Sequence, residues 1–192
     1  MALNCAIHPV SNFDRKHYFY ADLPSGYQIT QRFNPVATNG WMEYIVFDSK
    51  RDKLPKSYRI GIEQVQLEQD SGRSIHNEEA GYSLIDLNRA GIGLMEIITR
   101  PEIHSGEQAA AFVRELILIL RTLRVCDVKM FEGSLRVDAN ISVNRPNEPL
   151  GTRSEVKNLA SLKMISKAVD YEIKRQIAAK ERGEEIRNET LG

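Results

Sequence analysis

The sequence predicts an α+β protein with an antiparallel sheet, because strand-like and helix-like segments are segregated along the chain rather than alternating. The first forty residues combine short apolar or aromatic pieces with polar turns and prolines and show no helical period, and further strand-like segments follow before the first helix. Two amphipathic helical segments follow, and a segment of strict apolar and polar alternation lies between them. This order favours antiparallel strands with packed helices over repeated βαβ units.

The composition predicts a soluble protein of a reducing compartment, without membrane insertion. The 192 residues are 42% apolar and 27% charged, which is enough for one domain with its own core, or two at most. Lys plus Arg and Asp plus Glu both number 26, so the net charge is zero and any contact with RNA must be local. No apolar run reaches the roughly 20 residues of a membrane span. The two cysteines form neither a metal nor a disulfide pattern.

The segments before the first helix are expected to be strands and loops. The β-formers of 41–48 and the segment that begins at Tyr58 predict an antiparallel pair, joined by the charged connection 49–55. A further strand-like segment runs from Leu94 to Ile98.

Two segments carry the spacing of amphipathic helices. The first begins with Ser105-Gly-Glu-Gln108, which has the spacing of a capping box. The second begins at Leu162 and ends near Gly183, which can adopt the left-handed conformation that stops a helix. The predicted apolar stripes are Phe112, Leu116, Ile119, Leu120 and Leu123 in the first helix, and Ile165, Val169, Ile173 and Ile177 in the second.

The clearest predicted strand runs from Ser134 to Val143. Its odd-numbered residues are apolar and its even-numbered residues are polar, among them Arg136, Asp138 and Asn140. One face of this strand is therefore expected to lie on the core and the other to carry polar groups.

Three rows of polar side chains are candidates for a functional surface. The rows are Gln64, Gln66, Glu68 and Asp70; Arg136, Asp138 and Asn140; and Arg153, Glu155 and Lys157. If they converge, the carboxylates offer the oxygen ligands that Mg²⁺ prefers, and the cations neutralise phosphate oxygens. A wet outer face explains the first row equally well, and ordinary cross-strand charge pairing explains the other two slightly better by pattern alone.

The sequence lacks the common phosphate-binding and hydrolytic motifs. It contains no GxxxxGK[ST] or GxGxxG loop, no HExxH zinc motif and no GxSxG nucleophile elbow. The cations and aromatic rings of 13–20 are compatible with stacking a nucleotide or an RNA end, and also with a loop held to the core by its rings.

Five ordered motifs cover almost the whole chain. They are FDRKHYFYADLPSGYQITQ at 13–31, QLEQD at 66–70, SLIDLNRAGIGLMEIITRPEI at 83–103, EGSLRVDANISV at 132–143 and GTRSEVKNLASL at 151–162. Taken in this order they resemble the GatB and GatE family, the B subunits of tRNA-dependent glutamyl/aspartyl-tRNA amidotransferases.

The resemblance implies a catalytic domain related in fold to glutamine synthetase and guanido kinases, with an antiparallel sheet that cradles ATP and Mg²⁺. The implied activity is phosphorylation of the side-chain carboxylate of glutamate misacylated onto tRNA(Gln), followed by amidation. Ammonia would come from a glutaminase A subunit, and a small third subunit would complete the complex. The chemistry is coherent because a carboxylate becomes an effective acyl donor only when its oxygen is part of a phosphate leaving group.

Site residues are also implied by the resemblance. Glu68 is the first choice for a Mg²⁺ ligand, with Asp138 and Glu155 beside it at the metal. Arg136 and Lys157 are the catalytic candidates for contacting phosphate. The candidates for contacts to nucleotide or tRNA are Arg15, Lys16, Arg89, Glu96 and Asn140.

The motifs also depart from the family. The family's HLEED reads QLEQD here, so Gln66 replaces a histidine and Gln69 replaces a carboxylate, which removes about one unit of ligand charge if both carboxylates normally bind. Ala21 and Gly93 replace prolines, which is expected to loosen two turns. These departures are similar to those of mitochondrial, fungal-like members. A mitochondrial matrix location is therefore expected, with a bacterial cytoplasm as the alternative.

By the same resemblance, 1–192 is a partial catalytic cradle domain. An opening strand is expected before Met1, and helical and tRNA-binding tail domains are expected after Gly192. A rival interpretation is a module that docks the A subunit or tRNA without turning over ATP, because of Gln66, Gln69 and truncation. A free-standing small-molecule carboxylate kinase is less favoured, because the motifs match the tRNA-linked family.

Overall fold

A computed structural model describes residues 1–47 and 54–192, so most of the charged connection predicted at 49–55 lies outside the described residues. The described chain contains strands, two α-helices and a short 3₁₀ helix (Met130–Glu132), which confirms the α+β prediction. The helices are α1 (Gly106–Thr122) and α2 (Leu162–Glu181). The strands are β1 (Ala6–Ile7), β2 (Asp14–His17), β3 (Tyr27–Thr30), β4 (Ala37–Val46), β5 (Lys56–Gln69), β6 (Arg73–Asn77), β7 (Tyr82–Asp86), β8 (Gly93–Thr99), β9 (Ala139–Ile141), β10 (Ser154–Val156) and β11 (Thr190–Leu191). Neither described helix is long and apolar enough to cross a membrane.

The strand pairing is mainly antiparallel. A four-stranded sheet has the order β1-β4-β5-β8, and its neighbours β4 and β5 correspond to the predicted pair of strands. Two separate hairpins are formed by β2 with β3 and by β6 with β7. In a three-stranded sheet, β9 and β10 are antiparallel, whereas β10 and β11 are parallel.

The chain divides into two compact units. One consists of Met1–Met42 and Arg59–Glu102, and the other of Glu43–Tyr58 and Ile103–Gly192. The second unit contains both helices and the three-stranded sheet. Its core includes Tyr44, whose ring stacks on Tyr58 and meets Phe112 of α1 edge to face.

Both helices begin at a serine N-cap. The hydroxyl of Ser105 accepts a hydrogen bond from the Gln108 N–H, as the predicted capping box requires, but the Gln108 side chain accepts from His104 rather than from Ser105. At α2, the Ser161 hydroxyl accepts from the Met164 N–H. Gly183 has φ +77°, which confirms it as the left-handed stop after α2.

The buried side of α2 differs from the predicted stripe. Ile165 and Val169 are buried as expected, but Ile177 is exposed, and Glu172 and Gln176 occupy core positions instead. Glu172 is only 1% exposed, and it accepts hydrogen bonds from Ser154, Gln176 and Arg175 at 2.5 to 2.8 Å. Gln176 also donates to the carbonyl of Ile141 at 2.9 Å. The helix therefore turns polar groups toward β9 and β10, because they bond to the sheet there.

The predicted strand from Ser134 to Val143 is shorter than expected. Only Ala139–Ile141 pair with β10, because β10 itself is three residues long. The alternation of burial nevertheless continues outside the ladder, with Val137 less exposed than Arg136 and Asp138. The prediction of one core face and one polar face is therefore correct. The predicted length of the hydrogen-bonded strand is wrong, because only three residues pair.

The contact between the two helices at Gly106 has no room for a larger side chain. The Gly106 N–H donates to Asp170 at 2.7 Å, and a Cβ at this position would collide with the carbonyl oxygen of Ser166. We expect Gly106→Ala to lower the free energy of unfolding by roughly 1 to 3 kcal/mol, because backbone must move to relieve the overlap. Chemical denaturation measures this loss. Gly93→Ala is the matched control, since no atom lies within 4 Å of its added methyl group and its stability should not fall.

We expect Glu172 to make a pH-dependent contribution to the free energy of unfolding. Burial alone would raise the pKa of Glu172, but the Arg175 guanidinium and the hydrogen bonds from Ser154 and Gln176 outweigh burial and lower this pKa below its ordinary value. The stabilisation is therefore present above the ordinary glutamate pKa and is lost as the pH falls through the lowered value. We expect Glu172→Gln to reduce the free energy of unfolding by about 1 to 3 kcal/mol at neutral pH, and by less in acid.

The control for this experiment is Glu189→Gln, which removes a single contact from Arg175 at a more exposed position. A variant of Glu172 that is as stable as the parent at neutral pH would contradict the assignment. The same conclusion would follow if the loss of stability were identical at neutral and acid pH.

Candidate functional site

The first polar row lies on one face of β5, as the alternation predicts. Gln64 donates to Gln66, and Gln66 donates to Glu68 at 2.8 Å, so the three side chains form a continuous chain of contacts. On the neighbouring strand β8, Glu96 is directly opposite Gln66. The register therefore brings a second carboxylate to the face that carries Glu68.

This face is covered rather than wet, because the hairpin of β2 and β3 lies over it. Thr30 of β3 donates its hydroxyl to Glu68 at 2.6 Å, and Gln28 donates to the other oxygen of Glu68 at 3.3 Å. Gln66 is only 5% exposed. The simple interpretation of a solvated outer face is therefore wrong for this row. Glu68, Glu96, Gln66 and Thr30 are called the carboxylate cluster below.

Gln66 holds the two carboxylates together. Its amide nitrogen lies 2.8 Å from an oxygen of Glu68 and 2.6 Å from an oxygen of Glu96. An amide N–H donor between two like charges offsets part of their repulsion. The residue that replaces the family's histidine thus contacts both acids through its amide nitrogen, while its amide oxygen accepts from Gln64.

The electrostatics of the carboxylate cluster favour a cation. Partial desolvation raises the pKa of Glu96, and the nearby charge of Glu68 and a contact with it raise this pKa further; Gln66 and Lys16 act in the opposite direction. Burial, together with the charges of Asp22, Glu68 and others nearby, also raises the pKa of Tyr18. Burial is the larger cause of both shifts, and the remaining part comes from neighbouring negative charge, which a bound cation would relieve.

The other two polar rows meet in the second unit. Glu155 of β10 pairs with Asn140 of β9, and the Lys157 amine lies 3.6 Å from a Glu155 oxygen and 4.0 Å from an oxygen of Asp138. Burial raises the pKa of Asp138, with Glu155 adding to this and Lys157 and Arg136 opposing it. Asp138, Glu155 and Lys157 are called the lysine cluster below, and Arg136 lies close enough to act on it electrostatically.

The remaining predicted residues have different surroundings. Lys16 is exposed on β2 and acts electrostatically on Glu96, whereas Arg15 is adjacent in the strand, so it faces the other way and lies 5.0 Å from the Tyr27 ring. Arg89 donates to the carbonyls of Ser71 and Gly72 and lies 3.9 Å from Asp70. These contacts show Arg89 holding the loop after β5.

Two residues that contact Glu68 were not predicted, namely Thr30 and Gln28. The segment GYQITQ alternates in the manner of a strand, which puts Gln28 and Thr30 on one face, but nothing in the sequence pairs that face with Glu68. Gln31, on the other face of this segment, is fully buried, and its amide oxygen accepts from the Leu67 N–H at 3.0 Å. This contact holds the end of the hairpin to β5.

The oxygen donors of the carboxylate cluster fit a hard divalent cation. Two carboxylates and a hydroxyl are ligand types that Mg²⁺ takes, with water completing the shell, whereas the amide oxygen of Gln66 accepts from Gln64. Within 1–47 and 54–192, no three His, Cys, Asp or Glu side chains form a ready-made metal site. The predicted set of Glu68, Asp138 and Glu155 draws on both units, and it stays a prediction.

Comparison with known proteins agrees with these motifs. The family described as the GatB/GatE catalytic domain matches residues 1–191. The chain is 57% identical over 192 residues to the B subunit of the mitochondrial glutamyl-tRNA(Gln) amidotransferase of Homo sapiens, and 54% identical over 190 residues to that of Danio rerio. It is 51% identical over 194 residues to the B subunit of the aspartyl/glutamyl-tRNA(Asn/Gln) amidotransferase of Rickettsia rickettsii.

These alignments cover 99% of this chain but only 34% of the two vertebrate proteins and 38% of the bacterial one. The chain thus spans about a third of the length of the curated relatives that it matches. Because the match extends over nearly every residue of the chain, the protein belongs to the GatB/GatE catalytic domain family.

Proposed function

We propose that this chain supplies the kinase and amidation site of a tRNA-dependent amidotransferase. In this reaction the side-chain carboxylate of a glutamate misacylated onto tRNA(Gln) is phosphorylated, and ammonia from a glutaminase A subunit then displaces the phosphate to give the amide. A small third subunit and a mitochondrial location belong to the same proposal. The names of the relatives, which specify the B component of a glutamyl-tRNA(Gln) amidotransferase, support it.

The observation that carries the proposal is the covered pair Glu68 and Glu96. Two carboxylates bridged by the amide of Gln66 at 2.8 and 2.6 Å form an oxygen-rich site whose negative charge is only partly offset by Lys16. When bound there, Mg²⁺ with ATP would supply a phosphoryl donor and neutralise its oxygens. Glu68 and Glu96 would hold the metal, and Thr30 would orient Glu68 through its 2.6 Å hydrogen bond.

The lysine cluster and the nearby Arg136 provide cations that can contact the negatively charged phosphate in this reaction. Lys157 presents an ammonium group beside Asp138 and Glu155, and Arg136 adds a second cation nearby. Cations placed where phosphate charge develops lower the barrier to phosphoryl transfer and to departure of phosphate. Asp138 and Glu155 keep the amine in place, and they stay candidates for metal ligands. Arg15, Arg89 and Asn140 stay candidates for contacts to nucleotide or tRNA.

The finer fold assignment also belongs to this proposal. Antiparallel strands with a covered polar face support a cradle of the glutamine synthetase and guanido kinase type. The carboxylates then lie on strands rather than on flexible loops, which preorganises a metal site.

Nucleotide binding tests the proposal directly. We expect this chain, in complex with an A subunit, to bind ATP in a Mg²⁺-dependent manner, and we expect Glu68→Gln to weaken binding at least about tenfold, because one charged ligand and its bond to Thr30 are altered. Isothermal titration calorimetry with and without Mg²⁺ measures both. Glu78→Gln is the matched control, since it removes an exposed carboxylate beyond the end of β6 and should leave binding unchanged.

The outcomes separate the two interpretations of the family resemblance. Equal binding by the Glu68 variant and the parent would remove Glu68 from the metal site. Absence of Mg²⁺-dependent nucleotide binding by the parent complex would favour the non-catalytic docking module. Full ATP-dependent amidation by the Glu68→Gln complex would likewise reject the role of Glu68.

A further inference from the structure

The outward side of α2 carries three exposed lysines. Lys163, Lys167 and Lys174 are exposed, and they follow the spacing of one helix face, opposite the buried Ile165 and Val169. Tyr171 lies on the same side and is 70% exposed. These three lysines and Tyr171 are called the basic stripe.

The acidic residues that would normally balance this face are used elsewhere. Asp170 accepts a hydrogen bond from the Gly106 N–H at 2.7 Å, and Glu172 is buried against Ser154 and Arg175. Among residues 1–47 and 54–192, the three lysines of the basic stripe form no ion pair. Asp170 lies near Lys167 and Lys174 on the helix surface but is part-buried and bonds to Gly106. The next carboxylate along this face is Glu181, about 10 Å beyond Lys174.

An exposed tyrosine among unpaired lysines is suited to one class of partner. Lysines bind phosphates as point charges, and an aromatic ring gives a base a surface on which to stack. The lysines extend over about 16 Å of the helix, which is enough to contact several phosphates of one strand. The chain has no net charge, so a nucleic acid must be attracted by a local patch of this kind.

We propose that the basic stripe of α2 binds the phosphate backbone of an RNA, with Tyr171 stacking on an unpaired base. The proposal concerns a surface separate from the carboxylate and lysine clusters. It rests on the proposed function only for the identity of the RNA, a tRNA. An anionic membrane fits less well, because Met164 and Ile177 are the exposed aliphatic residues of α2 and two half-exposed side chains do not form an apolar side that could insert.

Salt-dependent RNA binding tests this proposal. The probe is a fluorescently labelled tRNA(Gln) transcript without an amino acid, titrated with the chain at several salt concentrations. We expect the triple variant Lys163→Gln, Lys167→Gln and Lys174→Gln to bind at least about tenfold more weakly at low salt. We also expect the slope of log K against log salt to become shallower by about 2 to 3, since each phosphate contact contributes roughly 0.7 to 0.9.

Tyr171 has its own test. We expect Tyr171→Ala to weaken binding about tenfold with an unchanged salt slope, because stacking carries no counterion release. Tyr171→Phe should bind like the parent, since it keeps the ring. Equal weakening by both variants would contradict stacking.

The control removes the same charge from another helix. Arg114→Gln, Arg121→Gln and Arg124→Gln change exposed cations on or next to α1, and they should leave the salt slope close to that of the parent. Circular dichroism and thermal denaturation check that each variant is folded.

The proposal would be overturned by an unchanged affinity and salt slope in the basic stripe variant, or by a parent chain that binds no RNA. It would also be overturned if the stripe variant lost binding to phosphatidylserine vesicles or to a polyglutamate peptide while keeping its affinity for RNA. Nucleotide binding by the carboxylate cluster is measured separately. Its loss in the parent would reject the proposed function and leave the result for the basic stripe intact.

Discussion

The placement of two carboxylates on one covered sheet face is the constraint on which the candidate site depends. Glu68 and Glu96 repel each other, and their charges lose hydration under the hairpin of β2 and β3. The amide of Gln66 and the hydroxyl of Thr30 donate hydrogen bonds to these acids and so make the arrangement tolerable. The neutral donors offset part of the repulsion, and the negative charge that remains is the basis of the proposed Mg²⁺ site.

In the core of the second unit, a buried acid is likewise stabilised by hydrogen-bond donors. Glu172 and Gln176 occupy buried positions on α2. Glu172 accepts hydrogen bonds from Ser154 and Arg175, and the Gln176 amide nitrogen donates to the Ile141 carbonyl, whereas its amide oxygen has no hydrogen-bond partner among the described residues. Their bonds hold α2 to β9 and β10, the strands that carry the lysine cluster. The helix thereby positions the sheet residues on which the proposed phosphate chemistry relies.

The internal contacts of the acidic residues on α2 also affect the charge of its exposed surface. Since Asp170 bonds to the Gly106 N–H and Glu172 is buried, the exposed lysines of α2 form no ion pair with either acid. A protein of zero net charge thus has a locally positive face. The residue pattern of α2 therefore determines both its internal contacts and the positive charge of its exposed lysines.

The sequence by itself determined the fold class, both helices with the stop at Gly183, and the alternation that places Gln64, Gln66 and Glu68 together, because these features depend on neighbours a few residues apart. The motifs of the chain determined its family. Only the tertiary structure decided that Glu96 faces Gln66, that Thr30 and Gln28 reach Glu68 and that Glu172 lies in the core. It also decided that most of 134–143 stays outside a ladder and that β6 and β7 pair as an exposed hairpin. Such contacts join residues far apart in the chain, and their energies depend on strand register and burial, which local patterns do not encode.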